Sequence, residues 1–259
     1  MLLQRLPAIF HFGAFFALLA LETWRPRQPI PVGRLRHIGR HLSLDALNLP
    51  IYALLGLLAE RIDVLCQQHR IGLLYQLPLP FWAQLTLGLV LLDLCDYWFH
   101  RLEHLLPWLW RFHRVHHTDR SPDATTSLRT HPVALVCLSL FMEGGSILIG
   151  TPLSVLLLYS GIAAAVSHWQ HANVELHSPR TERVLSLLVN PPRVHRRHHS
   201  REPGDAHSNF SDVLSIWDRL FGTYRGPSSA PVQFGVSGHD DPPAQTLLGM
   251  LRSPLSRSP

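Results

Sequence analysis

LPLPFWAQLTLGLVLLDLCDYWFHRLEH, residues 77–104, decides how this chain is read. Its first 23 residues are long and apolar enough to cross a bilayer, which takes about 20 residues of helix. The segment then runs without a break into His100 and His104. On a continuous helix these two imidazoles share one face, four residues apart. Asp93 and Asp96 precede His100 by about two turns and one turn on that face. A carboxylate there can take the second ring N–H of a histidine and fix which nitrogen faces a metal.

Working outward, the pattern recurs. HRVHH places His113, His116 and His117 at i, i+3 and i+4, and HRRHH repeats the spacing with His195, His198 and His199. HWQHANVELH adds His168, His171 and His177. Clusters of this kind on one side of a membrane protein point to metal binding, because unpaired imidazoles beside lipid are costly without a function. One ion uses three or four such ligands, so eight or more predict two ions. Imidazole suits iron, zinc, copper and nickel alike. The solitary histidines His11, His37, His41, His69 and His239 are read as ordinary structural residues, and Glu103 as an exposed helical residue.

The rest of the chain supplies the membrane. Of 259 residues, 46% are hydrophobic and only 16% charged, against about 25% charged in soluble domains, and mean hydropathy is +0.09. Besides 77–99, spans are predicted at about 7–21, 42–59, 133–149 and 152–167, the last two as a hairpin broken near Gly150 and Pro152. The fold class is therefore all-α, an integral membrane helical bundle with a histidine-rich helical cap. Residues 1–225 form one domain, and the Pro-, Ser- and Gly-rich stretch 226–259 is expected to be a poorly ordered tail. Arginines concentrate at 25–40, 100–129 and 180–201, which by the positive-inside bias puts these segments and every histidine cluster on the cytoplasmic side. All 23 basic residues are Arg, which points to a GC-rich bacterial genome and an inner-membrane location. The sequence pI of 9.6 follows from these loops, so no nucleic-acid partner is expected. Cys66, Cys95 and Cys137 form no pair motif and offer no thiolate site.

At DLCDYWFHRLEH (93–104), WRFHRVHH (110–117), SLRTHP (127–132), HANV (171–174), PPRVHRRHH (191–199), SNF (208–210) and IWDRLFGTY (216–224), the chain resembles the fatty acid hydroxylase superfamily. These are integral membrane di-iron enzymes that include sterol desaturases and alkylglycerol monooxygenase. The resemblance covers about residues 20–225. It implies membrane helices under a cytoplasmic helical cap, and two iron ions for which zinc can substitute in purified protein. It also implies O2-dependent hydroxylation or desaturation of a lipid, with electrons from a separate protein. By motif position it implies His100, His104, His113, His116, His117, His171, His195, His198 and His199 as ligands, with His168, His131 and His207 as further candidates.

Two departures from the family pattern stand out: His207 and Ser211 occupy the Asp and Gly places around SNF, and Val133 and Ala134 follow HP where a Glu is common. Trp217, Phe221 and Tyr224 are read as interface anchors, and Asp218 with Arg219 as a fastening to the metal-bearing helices. The alternative is a non-redox metalloprotein, either a zinc hydrolase or a metal carrier. Against the first, Arg101 stands where the HExxH pattern needs its Glu. Against the second, the clusters flank the spans instead of interrupting them.

Overall fold

The computed structural model describes residues 2–176, 178–227, 232–239 and 241–256. Two long helices lead, α1 (Leu2–Trp24) and α2 (Arg34–His69), followed by the short α3 (Leu73–Gln76). Next come α4 (Phe81–Leu105), α5 (Pro107–His117), and the hairpin of α6 (Pro132–Ile149) and α7 (Leu153–His171). Four short helices then cap one end of the bundle: α8 (Pro179–Leu185), α9 (Pro192–His198), α10 (Pro203–Ala206) and α11 (Ile216–Leu220); α12 (Leu247–Arg252) lies near the C-terminus. No strand occurs among the described residues, and a lone bridge joins Ser200 to Phe234. The class is all-α, as the sequence predicts.

Four stretches are helical, long and apolar enough to cross a membrane: 6–24, 34–76, 132–149 and 153–171. The predicted second span, 42–59, is the middle of a 36-residue helix that continues through Pro50. The segment predicted at 77–99 is also a helix, but it is not among the four. Its second half carries Asp93, Asp96, His100, Glu103 and His104, all buried against protein. Lipid-facing apolar side chains such as Phe12, Phe16, Leu54, Leu57 and Leu148 stay exposed on α1, α2 and α6, as expected where the surrounding solvent is hydrocarbon.

The alternation of the helices sets two ends. At one, a Cβ on Gly72 (φ +111°) would stand 2.3 Å from the Gly150 Cα, so the α2–α3 turn and the α6–α7 turn touch backbone to backbone. At the other, Glu22 at the end of α1 accepts from Ala124 N (2.8 Å) and Asn173 N (2.6 Å). The C-termini of α1, α4 and α7 and the N-termini of α2 and α6 therefore meet there, and every histidine cluster sits at that end. Between the ends, Leu74, Leu92, Met142, Ile149, Val155, Leu156 and Tyr159 form the apolar core.

Among the described residues after 226, several pack against the bundle, where composition suggests a loose tail. Met250 of α12 is fully buried with Leu44 of α2 and Val115 of α5. Arg114, also fully buried, donates to His239 Nε2 (3.2 Å), to the Ser253 carbonyl and to Ser256 O (2.9 Å). LLGMLR is too short to signal a helix by periodicity; it is held by the groove it lands in. Met250→Ala is expected to cost about 2 kcal/mol, read as a lowered midpoint of thermal unfolding in detergent.

Candidate metal centre

Each histidine arrives by a simple local device. α4 carries His100 and His104 on one face in its last turn. Pro107 opens α5 and Pro192 opens α9, the helical position at which proline's missing N–H costs nothing. Their final turns present His113, His116 and His117, and His195 and His198, with His199 as the next residue. α7 ends on His171.

These helix ends bring nine imidazoles together in two adjoining nests. Nitrogens of His100, His104, His113, His117 and His198 lie within 4.8 Å of one another, as do those of His116, His171 and His199. His195 joins the second group, its Nε2 3.2 Å from His171 Nε2. His117 and His199 stack with centroids 4.4 Å apart, linking the nests.

The hydrogen bonds on the outer ring nitrogens make these nests suited to cations. His100 Nδ1 donates to Phe210 O (2.8 Å) and His198 Nδ1 to Ser208 O (2.7 Å). A carbonyl can only accept, so in the neutral rings both Nε2 atoms are bare, yet they stand 3.0 Å apart. His171 Nδ1 likewise donates to Ser167 O (2.7 Å). Its bare Nε2 is 3.0 Å from both His116 Nε2 and His199 Nε2. Both nitrogens of His104 and the Nδ1 atoms of His195 and His199 are buried without a hydrogen-bond partner. Burial pushes His116, His117, His195, His198 and His199 well below the usual histidine range, and His113 down to about 3. Facing lone pairs on neutral rings repel unless a cation lies between them. Their spacing is close to the edge of a polyhedron with bonds near 2.0–2.1 Å, roughly 2.9–3.4 Å.

The backbone of SNF explains that motif. Ser208 and Phe210 supply the two carbonyls that orient His198 and His100. Asn209 between them is left-handed (φ 57°), its side chain donating to Val194 O and Arg225 O and accepting from Arg225 N. Asp218 holds the same turn, accepting from Phe210 N (2.8 Å), Ser211 N (3.1 Å), Asn190 Nδ2 (2.7 Å) and Thr223 Oγ1 (2.8 Å). It acts on His100 through Phe210, as a fastening residue would.

Asp93 and Asp96 do not take a histidine N–H. Asp93 accepts from Trp217 Nε1 (2.7 Å), Leu214 N (3.0 Å), Val213 N (3.2 Å) and Tyr159 O–H (3.1 Å), and Asp96 from Tyr159 O–H (2.8 Å). They share the His100 face of α4 but sit one to two turns further from its C-terminus, against Tyr159 of α7 and the 213–217 turn. The carboxylate that comes nearest a nest imidazole is Glu103, 7% exposed and not a surface residue, whose Oε2 stands 2.9 Å from His113 Nδ1. Residue-type spacing concealed this pair because it forms across the α4–α5 turn. Glu103→Gln, which keeps the shape but replaces the carboxyl group by an amide, is expected to lower metal affinity about 10-fold or more, measured by competition with a chelator.

His168, His131 and His207 stand outside both nests. His168 Nδ1 lies against Ser127 Oγ (2.6 Å). His131 caps α6 by accepting from Val133 N (3.1 Å). His207 reaches only the edge of His104, centroids 5.6 Å apart. His177 lies outside the described residues. The aromatic stretch is fastened inward: Trp217 bonds to Asp93, Phe221 stacks on Tyr97 at 5.2 Å, and Arg219 lies over Tyr224 at 3.9 Å.

Residues 85–223 match the family profile described as fatty acid hydroxylase. The chain is 32% identical to ornithine lipid hydroxylase OlsE of Rhizobium tropici over 179 residues, 69% of this chain and 52% of that protein. It is 33% identical to alkylglycerol monooxygenase of Danio rerio over 163 residues, 62% of this chain and 35% of that protein. Identity to methylsterol monooxygenase 1-3 of Arabidopsis thaliana is 27% over 164 residues, 60% and 54% of the two chains. The chain thus spans between about a third and a half of these relatives' lengths. No solved structure matches it.

Proposed function

Because this chain belongs to the fatty acid hydroxylase family, whose profile covers more than half of it, we propose that it oxidises a membrane lipid with O2 at a non-haem di-iron centre. The observation that carries this reading is the convergence of imidazole nitrogens: the bare Nε2 of His100 faces that of His198, and His116, His195 and His199 close around the bare Nε2 of His171. In this reading His100, His104, His113, His117 and His198 hold one ion, and His116, His171, His195 and His199 the other. Zinc takes the same donors when iron is absent.

Iron bound there supplies the O2 chemistry needed to oxidise an unactivated C–H bond. The chain's residues do the rest. Glu103, Ser167 O, Ser208 O and Phe210 O fix the tautomer and tilt of His113, His171, His198 and His100. Burial of the rings keeps water from the reacting centre. The nests lie at the end of a bundle long and apolar enough to span a bilayer, within reach of a lipid's chain or headgroup. Hydroxylation and desaturation both fit, and the names of the relatives favour adding oxygen.

We place the centre on the cytoplasmic side of a bacterial inner membrane, from the arginine-rich segments at the same end. In this reading the electrons come from a separate donor protein. A zinc hydrolase would need a free general base, whereas Glu103 is engaged by the Nδ1 side of His113. The test is lipid mass spectrometry of cells with and without the gene. A product heavier by one oxygen, or lighter by two hydrogens, is expected only with the gene. Identical lipid profiles together with iron-free purified protein would overturn the reading.

A further inference from the structure

A second kind of donor cluster lies apart from the nine histidines. His37 and His41, one turn apart on α2 with centroids 4.2 Å apart, face Asp119 and Asp123 in the turn that follows α5. His37 Nε2 is 3.5 Å from Asp119 Oδ2 and 3.8 Å from Asp123 Oδ2, and it is buried without a hydrogen-bond partner. A charged imidazole donating to a carboxylate would close to about 2.7–2.9 Å. Here the nitrogen stands off from both oxygens, near the roughly 3.3–3.6 Å that separates ligands around a tetrahedral zinc-sized ion.

The surrounding bonds leave these atoms turned toward one another. Asp123 Oδ1 takes the local bonds from Thr125 N (2.9 Å) and Thr125 Oγ1 (2.6 Å), while its Oδ2 points at His37. Asp119 Oδ1 accepts from Ser121 N (3.0 Å) and Oδ2 from Thr126 Oγ1 (2.6 Å). His41 is already engaged, with Nδ1 against Thr125 Oγ1 (2.8 Å) and Nε2 receiving Arg129 Nη1 (3.2 Å). It forms a wall of the cluster and not a ligand.

Arg129 offsets one of the two carboxylates, and Glu22 is matched by Arg34 at 3.1 Å. The buried Arg196 also carries positive charge close to Glu22, Asp119 and Asp123. Asp123 also borders a polar cavity of about 60 Å³ shared with Glu22, Gln28 and Asn173, enough space for water.

We propose that His37, Asp119 and Asp123 hold a further divalent transition-metal ion, with water completing its shell. One imidazole and two carboxylates suit Zn2+, Fe2+ or Mn2+. Its place between α2 and the turn two residues past His117 makes it a staple that ties the first long helices to the metal-bearing α5. Protein equilibrated with Zn2+ and then desalted is expected to hold three ions per chain. Anomalous difference density is expected between His37, Asp119 and Asp123.

Asp123→Asn keeps the Oδ1 acceptor of the cap but removes the charge. It and His37→Ala are each expected to hold two ions, with density at the histidine nests retained. His116→Ala is expected to keep the density at His37. Wild-type crystals with density at the nests and none at His37, or an ion count equal in wild type and both variants, would overturn the site. Density at His37 with empty nests would support it and count against the di-iron reading alone.

Discussion

Replacing His116 with alanine is expected to abolish the lipid product and to remove one ion per chain while the protein stays folded. His116 is the least enclosed member of the second nest, at the end of α5, and alanine is the best helix former. The backbone therefore tolerates the change. Its Nε2 stands 3.0 Å from His171 Nε2 and its ring 4.7 Å from that of His199, so its loss opens the nest on one side. Losing an outer partner of a ligand costs about 10–100-fold in affinity or activity; losing a ligand should exceed about 100-fold. Metal analysis and lipid mass spectrometry on one preparation give the readout. An unchanged product pattern would rule out the second nest as the reacting centre. Set beside the smaller effect expected for Glu103→Gln, the pair of variants separates holding a metal from orienting the ring that holds it.

The second large effect is on stability. Asp218 is fully buried and accepts four hydrogen bonds, two of them from the Phe210 and Ser211 backbone. Asp218→Ala leaves those donors unpaired in the interior, a loss of about 3–5 kcal/mol. Because Phe210 O holds His100, metal retention should fall with the unfolding midpoint. Thermal unfolding in detergent, with and without added zinc, checks both halves. A midpoint within a degree of wild type would show that the turn is held by other bonds.

Much of this protein was legible in the residues. Apolar run lengths marked the membrane helices, and the i, i+3, i+4 spacing marked the histidines that line one face, because both signals are properties of a single helix. The signal at His37 and His41 was also present: they are four residues apart, and Asp119 and Asp123 repeat that separation in the turn they face. Each residue type looked ordinary alone, and only packing α2 against the turn brings them to 3.5–3.8 Å. Glu103 was misread for a similar reason, since nothing local to α4 announces that His113 will fold back onto it.

Sequence alone determined which side chains could act, since helical periodicity and apolar length are written one segment at a time. Tertiary structure decided which of them meet. It engaged Asp93 and Asp96 with Tyr159 and Trp217, drew Glu103 inward to His113, and packed Met250 and Ser256 against Leu44, Val115 and Arg114. The physical reason is that a carboxylate's role depends on the nearest donor in space. In a bundle that donor commonly belongs to another helix, whose rotation and height no single segment specifies.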